Sequence, residues 1–230
     1  MVDVVLARRS DVRLGLIDID GESLAAVQAE RPDRIEIAVC DVSDRAAVSA
    51  AFEAVAGALP IVGLVTAAGI LHNRASVELD EADWSSVLGV HLDGTLWAAQ
   101  AAARSMTSHG VGGAIVNFCS VAMDFGWPKR LPYSVAKAGV AALTRTLAVE
   151  WAPDAIRVNA VSPGYVDTPM IRDAHTAGVL DADAKARAHA LGRLAQAVEI
   201  AEVVEFLLSE RSSFVTGEVV RVDGGFSVVK

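Results

Sequence analysis

Three pieces decide the fold: Gly113-Ala-Ile-Val-Asn-Phe-Cys-Ser120, then Tyr133-Ser-Val-Ala-Lys137, then Ile156-Arg-Val-Asn-Ala-Val-Ser-Pro-Gly164. The first and third are apolar, β-branched runs that end in small polar residues, the pattern of a buried parallel strand before its C-terminal loop. Between them, Ser134 to Trp151 places alanine and leucine at helical spacing. A strand, a helix and a second strand in this order form a βαβ unit, which points to an α/β protein with a parallel sheet.

The same alternation extends in both directions. Strands are predicted at Val12–Asp18, Arg34–Val39, Gly63–Thr66, Ala114–Cys119, Ile156–Ser162 and Glu218–Val222. Helices are predicted at Glu22–Glu30, at Arg45–Leu59 with Ser43 or Asp44 as cap, and at Glu81–Ser108, Ser134–Trp151 and Ala197–Leu208. No repeat, low-complexity tract or linker interrupts the 230 residues, and 53% hydrophobic content suffices for one core, so residues 1–230 are expected to form a single domain. A formal charge of -9 argues against nucleic acid or an anionic membrane surface as partner and suits a small molecule. Cys40 and Cys119 each sit in an apolar run and read as buried thiols. His72, His109, His175 and His189 show no ligand spacing with each other or with either cysteine, so no metal site is expected. Met1-Val-Asp-Val-Val-Leu-Ala-Arg-Arg9 is too short and too soon charged for a signal peptide, and no segment is apolar enough to span a bilayer; a cytoplasmic location is the expectation.

Tyr133 and Lys137 carry the chemistry. They stand one helical turn apart, so an ammonium shares a helix face with a phenol whose ordinary pKa is ~10 and should favour its ionised form. The Ser120 hydroxyl, at a preceding strand end, can hold a substrate oxygen beside that phenol. The trio reads as proton chemistry on a carbonyl or carbinol. Tyr-x-x-x-Lys alone is weak evidence, because any solvated helix face can carry both residues.

With these pieces in order, the chain resembles the short-chain dehydrogenase/reductase family from Asp11 to its C-terminus. The matching motifs are Ser120 with Tyr133 and Lys137, Asn159-Ala-Val-Ser-Pro-Gly164 with Thr168 behind it, and Asp41-Val42 after a strand. Gly192-Arg193, Glu199-Ile-Ala-Glu202, Phe214-Val-Thr-Gly217 and Val222-Asp-Gly-Gly-Phe226 also match. The resemblance implies a doubly wound, Rossmann-like sheet and hydride transfer between a nicotinamide and a secondary alcohol or ketone. Tyr133 would carry the proton, Lys137 would lower the phenol pKa and bind the nicotinamide ribose, and Ser120 would position the substrate oxygen. Pro163, Gly164, Val166 and Thr168 would set the carboxamide, and Asp41, Val42, Ala68 and Gly69 would line the cofactor. The polar segment from Ile171 to Leu194 corresponds to a mobile lid, and Met123, Phe125 and Trp127 are expected to line the substrate site. The family also implies a homo-oligomer, a tetramer or dimer, packed through the long helices of 81–108 and 134–151.

Three departures stand out. No Gly-x-x-x-Gly-x-Gly lies upstream of Asp18, so the first βα unit, which would bring a helix N-terminus to the cofactor pyrophosphate, is missing or replaced. Asp18 then falls where a carboxylate would bind the adenine ribose 2′-hydroxyl, pointing to NAD with NADP disfavoured. The family's Asn-Asn-Ala-Gly appears as Thr66-Ala-Ala-Gly69, and His91 replaces a catalytic asparagine, either as a proton shuttle or as a packed helix histidine. The N-terminus has two readings: Val2–Arg9 as the end of the first helix, favoured because Ala7-Arg-Arg-Ser-Asp11 resembles the family's helix end, or Val2, Val4 and Val5 as a strand hairpinned onto the next. A silent member of the family, used for binding or assembly, is the alternative to an oxidoreductase.

Overall fold

The computed structural model describes residues 1–57, 59–176 and 181–229, with residues 170 and 173–175 as backbone alone. The chain begins with helix α1 (Val2–Arg8), so the helix reading of the N-terminus holds. It then alternates through β1 (Leu14–Asp18), α2 (Gly21–Glu30), β2 (Ile35–Val39), α3 (Arg45–Ala56) and β3 (Gly63–Thr66). The second half holds α4 (Glu81–Leu88), α5 (Gly94–His109), β4 (Gly113–Phe118), α6 (Leu131–Trp151) and β5 (Ile156–Pro163). After β5 come β6 (Val166–Asp167), α7 (Pro169–Thr176), α8 (Ala182–Arg187), β7 (Ala195–Gln196), α9 (Ala197–Leu208) and β8 (Val219–Val222). All six predicted strands are present and every ladder is parallel. Asp44, not Ser43, caps α3, its carboxylate accepting from the Ala46 and Ala47 amides. That helix stops at Gly57, φ 54°, before the predicted Leu59; Ala58 lies outside the described residues.

Strand β4 shows why the sheet is central. Ile115 joins a core with Phe52, Ala99, Met106 and Leu147 from α3, α5 and α6, while the next residue, Val116, joins Ile200, Val204 and Leu207 of α9. Alternate residues of one strand thus bury against helices on opposite faces, which is the doubly wound arrangement.

The sheet is divided in two. Strands β3-β4-β5-β8 form one ladder and β1-β2 another, and among the described residues no strand pairs with the second edge of β1 or of β3. Helices span the division instead. Helix α3 packs on β1 and β2 and also on α5, which lies on β3. On the other side α1 packs on α9, with Arg8 paired to Glu202 at 2.7 Å and Asp3 to Arg31 at 3.0 Å. Val5 and Leu6 of α1 are buried. The gap falls where the absent first strand would lie.

The expected single helix over 81–108 is also broken. A wider turn of π type, Gly89–Asp93, separates α4 from α5 and contains His91. Such turns bulge a helix by one residue and re-aim its side chains.

Candidate active site

Ser120, Tyr133 and Lys137 converge at the C-terminal ends of β4 and β5, as a doubly wound fold requires of a site. Ser120 leaves β4 in extended conformation, and its Oγ accepts from the Ala122 amide at 3.2 Å, which opens a short turn and fixes the hydroxyl. That hydroxyl also lies near enough to the Tyr133 phenol to pull its pKa down. Lys137 is 5% exposed, and its ammonium donates to the Phe118 carbonyl at 2.6 Å, the last residue of β4. The helix thereby ties its lysine to the strand that delivers the serine.

The electrostatics differ from expectation in one respect. Burial pushes the Tyr133 phenol above its ordinary pKa, and the nearby Ser120 hydroxyl and Arg130 charge pull against that rise without reversing it. Lys137 lies 5.7 Å from the Tyr133 ring centroid. Its own pKa is pushed down to about 8 by burial. The expectation of a lowered Tyr133 pKa is therefore corrected: in the folded chain desolvation outweighs the Ser120 hydroxyl and the Arg130 charge.

His91 is buried and meets the Tyr133 ring edge to face at 5.1 Å. Burial, with Lys137 nearby, pushes its pKa down to about 4, so the imidazole is neutral. Its Nε2 lies 2.7 Å from the Ile70 carbonyl and 3.1 Å from the Ile70 amide, so either tautomer finds a partner there, while Nδ1 has none among the described residues. The ring packs onto Gly69, where a Cβ would fall 2.6 Å from His91 Cε1, so glycine there is required by the histidine. The backbone carbonyl of His91 accepts from Thr95 Oγ1 at 2.8 Å. Thr66 Oγ1 donates to buried Asn117 at 3.0 Å, which in turn donates to Thr144 on α6, so the threonine of Thr66-Ala-Ala-Gly69 joins the sheet to the catalytic helix.

The remaining predicted positions fall along the strand ends. Asp18 Oδ1 accepts from the Asp20 amide at 3.0 Å at the end of β1, beside the gap. Asp41 accepts from the amide and hydroxyl of Ser43, and Val42 packs where a Cβ on Gly94 would fall 2.9 Å away. Ala68 sits in the loop after β3. Beyond β5, a Cβ on Gly164 would fall 2.7 Å from His189 Nε2 and 3.2 Å from the Asp223 backbone, Val166 pairs with Ala195, and Thr168 Oγ1 accepts from Ile171 at 3.4 Å.

At the mouth the sequence reading named Phe125 and Trp127 but not their neighbours Tyr165, Phe226 and His189. Trp127 stacks on Tyr165 with centroids 5.6 Å apart and an interplanar angle of 11°. Phe226 meets both rings, and Phe125 in turn. Met123, grouped with Phe125 and Trp127 by position, packs instead against Cys119, Val140 and Ala160. His189 is buried; its Nδ1 donates to the Lys185 carbonyl at 2.8 Å and its Nε2 accepts from the Tyr165 amide at 3.1 Å. The expected lid over 171–194 is thus fastened at α8; its residues 177–180 and the His175 side chain lie outside the described residues. His72 and Arg74 are held by Asp83 and Asp80 rather than aimed inward. Tyr165 follows Gly164 directly, and that adjacency was the available signal for the aromatic wall.

A doubly wound sheet with a serine, a tyrosine and a lysine gathered at its strand ends defines a Rossmann-like protein of the hydride-transfer class. The family model described as Enoyl-(Acyl carrier protein) reductase matches residues 5–227. A cis-4-hydroxycyclohexanecarboxylate dehydrogenase of Sinomonas cyclohexanicum is 43% identical over 196 residues, 82% of this chain and 75% of its own. A galactitol 2-dehydrogenase of Cereibacter sphaeroides is 36% identical over 95% of this chain and 87% of its own. Among solved structures, a gluconate 5-dehydrogenase from Burkholderia cenocepacia in complex with NADP and tartrate superposes with a TM-score of 0.88 at 32% identity, over 100% of this chain and 92% of that one. The chain belongs to the short-chain dehydrogenase/reductase family.

Proposed function

We propose that this protein interconverts a secondary alcohol and a ketone with a nicotinamide dinucleotide, NAD in preference to NADP, and that Tyr133 is its acid/base. The observation that carries the reading is the joint placement of Ser120, Tyr133 and Lys137, with the serine hydroxyl close to the phenol and the lysine locked to the end of the strand that delivers the serine.

The chain's own atoms fit the two ends of such a cofactor. Lys137 commits one of its three donors to Phe118 and keeps two for a ribose diol. Gly164 packs against His189 and the Asp223 backbone, where a Cβ would clash, and this fixes the loop given to the carboxamide. Asp18 offers an acceptor-only carboxylate to the other ribose. The middle fits poorly, because among the described residues no glycine turn and helix N-terminus stand at the gap between β1 and β3 to receive the pyrophosphate. When bound, the nicotinamide accepts or supplies the hydride. Ser120 holds the substrate oxygen, Tyr133 takes its proton in oxidation and returns it in reduction, and Lys137 supports the phenolate by its charge.

The cofactor preference is open to direct measurement. A carboxylate at Asp18 opposes a 2′-phosphate, so calorimetric titration should give tighter binding of NADH than of NADPH, and Asp18→Ser should narrow the difference. Tighter NADPH binding by the parent chain would exclude the role given to Asp18. Assembly is proposed to use the helices over 81–108 and α6, and on α6 Val135 and Val149 are exposed at 39% and 77%.

A further inference from the structure

The stacked pair Trp127–Tyr165 carries two cations. The Arg130 guanidinium lies 5.2 Å from the Trp127 centroid, and the Lys185 ammonium lies 5.2 Å from the Tyr165 centroid. Neither has a carboxylate partner among the described residues, whereas Arg74 and Arg172 nearby are both ion-paired. Arg130 is held in place without being neutralised. Its Nε donates to Asn73 Oδ1 at 3.1 Å, and its backbone amide donates to the Trp127 carbonyl at 3.2 Å. Both terminal nitrogens are without a protein acceptor among the described residues, and that edge is the fork that matches a carboxylate bidentately.

Position gives the fork a use. Arg130 precedes Tyr133 by three residues, about 5 Å along a helix axis, and its charge reaches the phenol. The aromatic wall of Trp127, Tyr165 and Phe226 stands beside it. In a chain of formal charge -9, an unneutralised guanidinium at the mouth offsets a field that otherwise repels anions.

Resting on the reading of Tyr133 as acid/base, we propose that the substrate is a hydroxy- or oxo-carboxylate, its carboxylate forked by Arg130 and its apolar ring or chain laid on Trp127 while the carbinol reaches Ser120 and Tyr133. Arg130 is then the residue that selects anionic over neutral alcohols.

Two arms separate this from the catalytic reading. In the first, cyclohexanecarboxylate and neutral cyclohexanol are titrated calorimetrically into the protein, a measurement that needs no turnover. The carboxylate should bind the tighter, and Arg130→Gln should weaken it by about 10–100-fold, the worth of a charge-assisted pair. Arg130→Lys, which keeps the charge and loses the fork, should fall between. In the second arm, the ratio of kcat/KM for 4-oxocyclohexanecarboxylate to that for its methyl ester should fall by a similar factor in Arg130→Gln. Equal carboxylate affinity in parent and Arg130→Gln, preference of the parent for the neutral ligand, or no binding of either overturns the proposal. Thermal unfolding of each variant shows whether a loss reflects misfolding, and in that event Arg130→Lys decides. A Tyr133→Phe variant that still turns over would sink the catalytic reading alone, because the binding arm does not involve the phenol's proton.

Discussion

Tyr133→Phe is expected to lower kcat by about 10²–10⁴-fold, the range of general acid–base catalysis, with little change in thermal stability. The substitution removes one oxygen and leaves the ring that meets His91 edge to face, so the packing around the π-type turn survives. Lys137→Ala should cripple turnover and also weaken cofactor binding, because it takes away a donor as well as a charge. The direction of pH dependence follows from burial. With its pKa above the ordinary phenol value, Tyr133 is protonated at neutral pH and ready to donate, so ketone reduction is favoured there and alcohol oxidation should quicken as pH rises. Comparable rates for parent and Tyr133→Phe, measured on a ketone that the parent reduces, would remove the tyrosine from the mechanism.

The second large effect concerns the gap. Building a β-strand, a Gly-x-x-x-Gly-x-Gly turn and a helix ahead of Val2, so that the added helix runs into α1, should both stabilise the protein and tighten NADH. The added strand gives β1 and β3 a common ladder. Several hydrogen bonds at a net ~1 kcal/mol each amount to about 3 kcal/mol or more, equivalent to a rise in Tm of roughly 6–12 °C for a domain of this size. The turn supplies the amide cradle for the pyrophosphate, and NADH affinity should rise at least tenfold as an order-of-magnitude estimate. The 230-residue chain should bind NADH weakly and turn over slowly by comparison. Unchanged melting and affinity in the extended chain, or micromolar NADH binding by the parent, would show that the split sheet already does what the extra unit is meant to do.

The sequence made the βαβ alternation legible because buried parallel strands leave continuous apolar runs and their helices leave a clear spacing. Ile115 and Val116, adjacent and both apolar, proved to serve opposite faces. The three candidate catalytic side chains were legible for a similar reason, since fixed offsets on one helix and one strand end set their relative positions. The break at His91 was not legible, because a π-type turn preserves the helical pattern on both sides and shifts it by only one residue. The Tyr133 pKa direction was missed because spacing reports the neighbouring ammonium and is blind to desolvation. Arg130 and Tyr165 act through contacts between segments distant in sequence, with Asn73 and with Trp127, and no local periodicity encodes such pairs.

A divided sheet also has a dynamic meaning. Residues of β1, α2 and β2 satisfy one another locally, through the β1–β2 ladder, the Asp20 cap and the Arg34 guanidinium bonded to the carbonyls of Arg9 and Val12. Among the described residues no ladder hydrogen bond ties this segment to β3, β4 or β5. Its amides are therefore expected to form their own cooperative unit, opening at a lower free energy than the β4–β5 ladder that holds Ser120 and Lys137. In native-state hydrogen exchange they should lose protection first and together, while amides of β4 and β5 exchange only on global unfolding; a single protection level across both ladders would show that the helices spanning the gap couple the halves fully. Under this reading the adenine end of the site rests on a part of the protein that breathes, and the proton-transfer end on a part that does not.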